Sequence, residues 1–335
     1  MPVLDLDKLI GRRVALRHRV SERPERPLFS DAVGELAAGE SPAQVRVHTR
    51  RGVVTVDRSA VVAVREIPPA QPRRPSWASV ARLENICADA WPPQVDQRLG
   101  QWRLRASGGF SGRANSALAV GDAGLPLADA LERVRTFAAE HELVPKVQVP
   151  AGSPWHRAIT GQGWELAAEH PAGASVLAMI GEVARLAAPA EPSGVRFTVA
   201  DQPDDGWWAL AGEPPITEGQ RHVLLGAGLD RVGFGSASLR TGSTGPTAAT
   251  GPAAVVRLAV VDEHLYLAKL AVLPEFRRQG LAIGLMDAAA GWALTQGARW
   301  IVLQVAEHNT TAIRLYERLG LRVHHRYEYL RPPAG

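Results

Sequence analysis

Cysteine and lysine are both scarce in this chain. Its 335 residues include one cysteine, Cys87. One thiol excludes an internal disulfide framework and a cysteine-rich metal site, so we expect no metal. The helical context of Cys87 predicts a buried thiol rather than a nucleophile. The lysines are Lys8, Lys146 and Lys269, so the formal net charge of +4 comes from arginine. With abundant alanine, glycine and proline, this excess is more typical of codon bias than of nucleic-acid binding.

Long apolar runs are also missing. No stretch approaches the roughly 18 to 20 uncharged apolar residues that span a bilayer. Residues 1–7 have neither the basic segment nor the apolar core of a signal peptide. We therefore expect no membrane partner and a cytoplasmic location.

Two proline-rich breaks, at 68–75 and 187–194, predict exposed linkers. Residues 1–67 alternate short strand-like pieces with polar turns, which is typical of a small antiparallel barrel. Residues 76–186 and 195–335 each show strands and amphipathic helices in the same order. The chain therefore predicts an α/β (α+β) architecture that occurs twice in tandem.

The stretch after the strand predicted at 266–273 carries the most chemical information. It contains a proline stop and small residues that open a helix. Glycine and alanine let a ligand approach the backbone, and a helix start attracts anions through its free N–H groups and its dipole. The expected ligand is a pyrophosphate, although a glycine pair before a helix is a weak signal by itself. The candidate contacts are Arg277, Arg278, Gln279, Gly280, Leu281 and Ala282.

This loop resembles the pyrophosphate motif of the Gcn5-related N-acetyltransferase (GNAT) superfamily, Gln/Arg-x-x-Gly-x-Gly/Ala. Arg277, Gly280 and Ala282 match it. Downstream, residues 309–321 resemble the next motif of that superfamily, with an asparagine, an alanine and a Tyr-Glu-x-x-Gly run. Two motifs in this order and at this separation indicate a GNAT enzyme with mixed, mostly antiparallel sheets.

The resemblance implies that acetyl-coenzyme A (acetyl-CoA) is the co-substrate. The backbone of Leu270, Ala271 and Val272 would pair with the pantetheine arm and polarise the thioester carbonyl. The acceptor amine attacks directly, so no enzyme nucleophile is needed. The hydroxyl of Tyr316 would protonate the leaving thiolate as a general acid. The alternative for Tyr316 is a helix residue that only packs on the sheet.

The roles of three further residues each have two possible interpretations. Asn309 either holds the cofactor arm or caps the helix that starts beside it. Glu307 is a candidate general base at the end of a predicted strand, but a solvated charge is the favoured interpretation, because a water chain can carry the proton instead. Lys269, inside a strand, either extends to solvent or lines the acceptor cleft.

The middle segment lacks the phosphate loop. At the corresponding strand-to-helix join stands Asp122, which would repel a pyrophosphate, and no arginine compensates. We expect no cofactor there. A glycine-dense turn at 108–116 presents Arg113 and Asn115. These two side chains either serve the turn itself or face the other copy's cleft and hold an acceptor carboxylate.

Over nearly its whole length the chain resembles an actinobacterial family with a small SH3-like β-barrel ahead of tandem GNAT folds. The 109–116 turn, the 121–127 join and the C-terminal motifs carry this resemblance. Some members are described as N-acetylglutamate synthases, which implies a small-molecule amine acceptor. An amino acid is expected, with glutamate first, in arginine biosynthesis.

Two other functions stay open. The same cofactor loop would serve an enzyme that acetylates a protein, peptide or aminoglycoside amine. Alternatively, the barrel, with Arg46, His48, Arg50 and Arg51, would act as a regulatory or nucleic-acid-binding module. It shows no ladder of stacking aromatics, so we do not expect nucleic acid as a partner. A homo-oligomer is left open.

Overall fold

The computed structural model describes residues 6–20, 28–49, 52–67, 75–168, 170, 173–186, 194–239 and 251–333. The chain divides into two compact units, Met1–Arg73 and Arg74–Gly335. Nearly all of both predicted linkers lies outside the described residues, as do Arg50 and Arg51. In the part of the chain that is described, no helix is long and apolar enough to cross a membrane.

The first unit is an antiparallel sheet with the strand order β4-β3-β2-β1-β5. Its strands are β1 Arg13–Arg19, β2 Phe29–Ala38, β3 Gln44–Thr49, β4 Gly52–Asp57 and β5 Val61–Glu66. Alternate residues such as Val14 and Leu16 are buried, as the period of a half-buried strand requires. No pairing joins β4 to β5 among the residues described, so the predicted strands are present without closure into a barrel.

The second unit holds helices and strands in the predicted repeated order. The helices are α1 Trp77–Asp89, α2 Leu127–Glu140, α3 Pro154–Gly161, α4 Asp205–Ala211, α5 Glu218–Leu225, α6 Leu281–Thr295 and α7 Thr310–Arg318. The strands are β6 Val95–Leu99, β7 Trp102–Ala106, β8 Ala117–Leu118, β9 Val147–Pro150, β10 Glu165–Leu166, β11 Ser175–Glu182, β12 Val195–Ala200, β13 Val232–Leu239, β14 Ala254–Val261, β15 His264–Val272, β16 Trp300–Ala306 and β17 Arg322–Arg331. The predicted α/β (α+β) class with tandem folds is confirmed.

One sheet runs through both copies, in the order β12-β13-β14-β15-β16-β11-β17-β9-β8-β7-β6, with β10 on β17. The pairs β8–β9 and β15–β16 are parallel, and the other pairs are antiparallel. The strand β11, the last strand of the middle segment, lies between β16 and β17 of the C-terminal copy. The last strand of the chain, β17, also pairs with β9 of the middle segment. The two copies therefore exchange a strand, which their order along the chain does not reveal.

The sheet of the C-terminal copy has two covered faces. On the first, which we call the α6 face, Leu267 and Leu303 pack with α6 in one apolar cluster. On the second, the α1 face, Tyr266 and Val302 pack with Cys87 of α1 and with residues of α4 and α5. Successive strand residues alternate between the faces, as a pleated strand requires.

Burial raises the pKa of Cys87 well above its usual value, so this thiol stays protonated.

Candidate active site

The parallel strands β15 and β16 separate part of the way along their length. They pair from His264–Leu267 with Trp300–Leu303 and no further. Beyond that point β15 continues to Val272 and stays paired on its other edge with β14. Among the described residues, the edge that faces β16 at Leu270 and Ala271 therefore has no strand partner. The backbone groups of this edge could form hydrogen bonds with an extended ligand. The pantetheine contacts predicted from the sequence, at Leu270, Ala271 and Val272, lie at this position.

A bulge marks the start of this opening. Lys269 has a φ of 55°, a left-handed conformation that is uncommon for a side chain of its size. The register between β14 and β15 shifts at the same place. A bulge turns a side chain away from its regular direction, and the Nζ of Lys269 lies 5.6 Å from the ring centroid of Phe110 on the α1 face. The side chain of Lys269 thus lies on the α1 face, where it lines the cleft that is described below.

The loop after β15 has the geometry of an anion site. Arg278 and Gly280 have φ values of 63° and 84°, and α6 begins directly afterwards at Leu281. The first N–H groups of α6 have no carbonyl partner in a preceding turn, so they face outward with the positive end of the helix dipole. Nε of Arg277 donates to the carbonyl of Val272 at 3.3 Å, and Arg278 is exposed beside the loop. Gln279 donates from its side chain to the carbonyl of Glu275 at 3.1 Å.

The corresponding loop of the middle copy bonds two of its backbone N–H groups to side chains. The N–H of Asp122 donates to the side chain of Gln101 at 2.6 Å, and the N–H of Gly124 donates to the carboxylate of Asp122 at 2.9 Å. Both of these backbone donors are therefore used by side chains of the loop's own neighbourhood. That this copy binds no cofactor stays a prediction.

The helix α7 carries the two residues predicted from the second motif. Oδ1 of Asn309 accepts from the N–H of Ala312 at 3.2 Å, so Asn309 caps α7. Tyr316 is 8% exposed and belongs to the apolar cluster of the α6 face, together with Leu267 and Leu303 of the separating strands. Burial raises the pKa of Tyr316 to about 12, so its hydroxyl keeps a proton near neutral pH.

We expect Tyr316→Phe to lower kcat by about 100-fold, the contribution typical of a general acid, while the Kd of acetyl-CoA stays unchanged. Because the pKa of Tyr316 is about 12, the wild-type kcat should show no decline from this group below about pH 10. Steady-state kinetics across pH, with calorimetry for the cofactor, measures both. Equal kcat values in the two proteins would leave Tyr316 as a packing residue.

A cleft of about 540 Å³ opens on the α1 face beside the separated strands. Its size is ordinary for a small-molecule site. It is lined by Trp91, Gly109, Phe110, Ser111, Gly112, Arg113, Lys146, His170, Gly173, Val176, Glu213, Lys269, Gln304, Ala306, Tyr327 and Tyr329. Residues from both copies of the fold therefore form one cleft.

Arg113 is the cationic group that the structure places most firmly in this cleft. Its Cζ lies 4.5 Å from the ring centroid of Trp91, in a cation–π contact. Its Nη1 donates to the hydroxyl of Tyr266 and, at 3.4 Å, to Oε1 of Gln304. Within the described ranges Arg113 forms no ion pair. A guanidinium held in this way leaves further N–H donors for a ligand carboxylate.

The remaining charges of the cleft are mostly positive. Lys146 and Lys269 line it along with Arg113. Among the described lining residues, Glu213 is the one carboxylate, and it accepts from Nζ of Lys269 at 2.8 Å. Lys269 is therefore paired inside the cleft, whereas Arg113 has no carboxylate partner among the described residues. The described residues contain no group of three or more His, Cys, Asp or Glu placed to hold a metal ion.

The structure keeps two predicted site residues out of the cleft. Asn115 is 4% exposed; its Oδ1 accepts from the N–H groups of Ser107 and Gly109, and its Nδ2 donates to two carbonyls of the turn. Its polar atoms are used to hold the turn that presents Arg113. Glu307 is exposed and pairs at 3.4 Å with Arg326 of β17, the strand on the far side of β11. Its carboxylate is drawn towards β17 rather than into the cleft.

Trp91, Glu213 and Gln304 line the cleft although the sequence did not single them out. They come from the end of α1, the loop before α5 and the strand β16. No local motif connects three such distant segments, so only their meeting in space identifies them.

The separated strands, the glycine-containing loop that opens α6 and the capped helix after β16 are the arrangement of an N-acetyltransferase with the GNAT fold. Residues 78–330 match the family model described as "Probable histone acetyltransferase Rv0428c C-terminal". Residues 9–65 match a second model, "Rv0428c N-terminal Sm-like domain". The chain therefore belongs to this Rv0428c family of acetyltransferases. Its first unit corresponds to the Sm-like domain.

Individual relatives agree with this assignment. The chain is 28% identical over 331 residues to "Probable histone acetyltransferase Rv0428c" of Mycobacterium tuberculosis, covering 96% of this chain and 95% of the relative. It is 23% identical over 248 residues to "Uncharacterized N-acetyltransferase YobR" of Bacillus subtilis, covering 72% and 94%. Among solved structures, a "GCN5-related N-acetyltransferase from Kribbella flavida" shares the fold, with a TM-score of 0.56, 19% identity and coverage of 76% and 96%.

Proposed function

We propose that this enzyme transfers the acetyl group of acetyl-CoA to the amine of a small acceptor that carries a carboxylate, an amino acid, with glutamate as the first candidate. The observation that carries the proposal is the guanidinium of Arg113, which stands in the cleft without a carboxylate partner among the described residues.

The donor half of the site fits acetyl-CoA. The loop from Arg277 to Ala282 would hold the pyrophosphate with backbone N–H groups and arginine charge. The free edge of β15 at 270–272 would pair with the pantetheine arm, and an N–H of this edge would polarise the thioester carbonyl. When bound, acetyl-CoA supplies the activated acetyl group, so the chain needs no nucleophile of its own.

The acceptor half would hold an amino acid by its carboxylate. A carboxylate bound to Arg113 would be fixed on the α1 face, next to the bulge at Lys269. An amine one carbon away from that carboxylate could then reach the opening between β15 and β16. Holding the amine beside the thioester lowers the entropic cost of the attack.

The proton of the attacking amine needs an acceptor, and Glu213 is the carboxylate that the described part of the cleft offers. It is two-thirds exposed and bonded to Lys269, so solvent reaches it directly. We propose that the proton leaves through Glu213 or a water chain beside it, and not through Glu307, which pairs with Arg326 outside the cleft.

A lysine side chain of a protein is the second candidate acceptor. The name of the Mycobacterium tuberculosis relative, a probable histone acetyltransferase, favours it. The charge of the cleft argues against it, because the guanidinium of Arg113, which has no carboxylate partner among the described residues, would repel a cationic peptide.

Thiol release from acetyl-CoA across a panel of amines tests the proposal. The panel contains glutamate and other amino acids, their α-amides, aminoglycosides and histone peptides. We expect turnover with carboxylate-bearing acceptors and a higher KM for each α-amide than for its parent acid. Turnover confined to histone peptides or aminoglycosides would contradict the acceptor assignment and leave the donor site intact.

A further inference from the structure

A buried carboxylate lies behind the acceptor cleft. Glu84 of α1 is 1% exposed. Its Oε2 accepts from Nε2 of Gln148 at 2.5 Å, and its Oε1 accepts from Nε2 of Gln304 at 3.4 Å. Gln148 belongs to β9 and Gln304 to β16, which are the second strands of the two parallel pairs. One carboxylate therefore links equivalent strands of the two copies.

Each glutamine also accepts a hydrogen bond from an arginine, the buried Arg105 or the half-buried Arg113. Oε1 of Gln148 accepts from Nη2 of Arg105 at 2.8 Å. Oε1 of Gln304 accepts from Nη1 of Arg113 at 3.4 Å. Buried charges are costly unless compensated, and in the described residues neither arginine has a direct ion pair. Glu84 therefore compensates two cations, each through an amide.

Two histidines complete the surroundings of Glu84. Nε2 of His325 lies 2.7 Å from Oε1 of Glu84, and the Nδ1 atoms of His325 and His324 are 2.8 Å apart. Nε2 of His324 lies 3.2 Å from the hydroxyl of the exposed Ser79. Burial lowers the pKa of His324 to about 4, so His324 is neutral at pH 7. His325 can then donate from Nε2 to Glu84 and accept at Nδ1, which satisfies every member of the row.

The hydrogen bonds around Gln304 have a fixed direction. A carboxylate accepts and does not donate, so Nε2 of Gln304 must face Glu84 and its Oε1 must face the cleft. Burial raises the pKa of Tyr266, which therefore keeps its proton and donates it to Oε1 of Gln304 at 3.0 Å. The oxygen of Tyr266 is then left to accept from Arg113. Both acceptors that hold Arg113 owe their orientation to Glu84.

We infer that Glu84 is a positioning residue of the acceptor site, which fixes the guanidinium of Arg113 in the cleft through the amide of Gln304. The inference rests on the proposed function, in which Arg113 binds the acceptor carboxylate. It also assigns a role to the middle copy. The sequence predicts no phosphate loop in this copy, but the copy supplies both Arg113 and the carboxylate that orients Arg113.

Replacing Glu84 by glutamine should disturb the orientation of the two amides that bond to it. A glutamine offers one acceptor oxygen and one donor nitrogen, whereas Gln148, Gln304 and His325 all present donors to position 84. The neutral amide also no longer compensates the charges of Arg105 and Arg113. On one side a donor then meets a donor, so one of the two amides must rotate or lose its hydrogen bond. Rotation of Gln304 would turn its NH2 group towards Arg113 and Tyr266 and displace the guanidinium.

The test compares Glu84→Gln, Gln304→Met and Gln148→Met in the full chain. The acceptor is glutamate, or the carboxylate-bearing amine with the fastest turnover in the panel. We expect Glu84→Gln and Gln304→Met to raise the acceptor KM about tenfold, the loss of roughly one hydrogen bond to a charged group. We expect a smaller change in kcat and none in the Kd of acetyl-CoA. The matched control Gln148→Met breaks the other arm of Glu84, so it should lower the Tm without changing the acceptor KM.

The outcomes separate this inference from the function on which it rests. If Arg113→Ala leaves the acceptor KM unchanged, Arg113 does not bind the acceptor carboxylate. Both the proposed function and the inference about Glu84 are then rejected. If Arg113→Ala raises that KM while a folded Glu84→Gln protein does not, the inference alone is overturned. If Glu84→Gln does not fold, the comparison of Gln304→Met with Gln148→Met tests the inference instead. Equal acceptor KM values for Gln304→Met and Gln148→Met would reject a positioning role.

Discussion

Gly280→Glu should weaken the binding of acetyl-CoA by about 100-fold or more, equivalent to roughly 2.7 kcal/mol. Gly280 has a φ of 84° at the first turn of α6, where a side chain is strained and where a carboxylate would meet the pyrophosphate. Isothermal calorimetry measures the Kd, and the rise of Tm with acetyl-CoA measures the same loss independently.

The matched control is Gly297→Glu, at the other end of the same helix. Gly297 has a φ of 80°, is exposed and has no neighbouring atom within 4 Å of the Cβ position. This variant therefore introduces the same charge and a similar backbone strain away from the loop. We expect a lower Tm but an unchanged Kd for acetyl-CoA. Unchanged binding in Gly280→Glu as well would move the donor site away from this loop.

Arg113→Ala should raise the KM for glutamate by about 10- to 150-fold, which corresponds to the ~1.5–3 kcal/mol of a hydrogen bond to a charged group. The guanidinium is held over Trp91 and has no ion pair within the described residues, so it is available to an acceptor carboxylate. The KM for an α-amide of the same amino acid should change much less. Steady-state kinetics with both acceptors measures the difference.

Arg221→Ala serves as the control for this second prediction. Arg221 also stacks on an indole, with its Cζ 5.2 Å from the ring of Trp208, but it is exposed and does not line the cleft. Its loss should leave the KM for glutamate unchanged. An equal rise of KM for the acid and its amide in Arg113→Ala would indicate that Arg113 supports the cleft without binding a carboxylate.

The donor site could be predicted from the sequence because its parts are local. The strand β15, the loop at 277–282 and the helix α6 follow one another along the chain, and a phosphate loop depends on a short run of small and basic residues. The cap at Asn309 is equally local, since a capping side chain bonds a backbone group of the next turn. Which residues actually contact the ligand remains a prediction.

The acceptor site depended on information that the order of residues does not contain. The sequence singled out the turn at 108–116, but only the structure showed that Arg113 faces the cleft while Asn115 turns inward. Glu307 looked like a base because it ends a strand, yet the exchanged strand β17 brings Arg326 beside it. Charges that pair across strands cannot be foreseen before the strand order is known.

The sequence by itself determined the family, the order of helices and strands and the loop that would hold the acetyl donor, because each depends on residues a few positions apart. The tertiary structure decided that β11 and β17 cross between the copies and that α1 places Glu84 between Gln148 and Gln304. These contacts join residues that are 64 and 220 positions apart in the chain. They form only when both copies share one sheet, and the same sharing brings Arg113 to the cleft of the C-terminal copy.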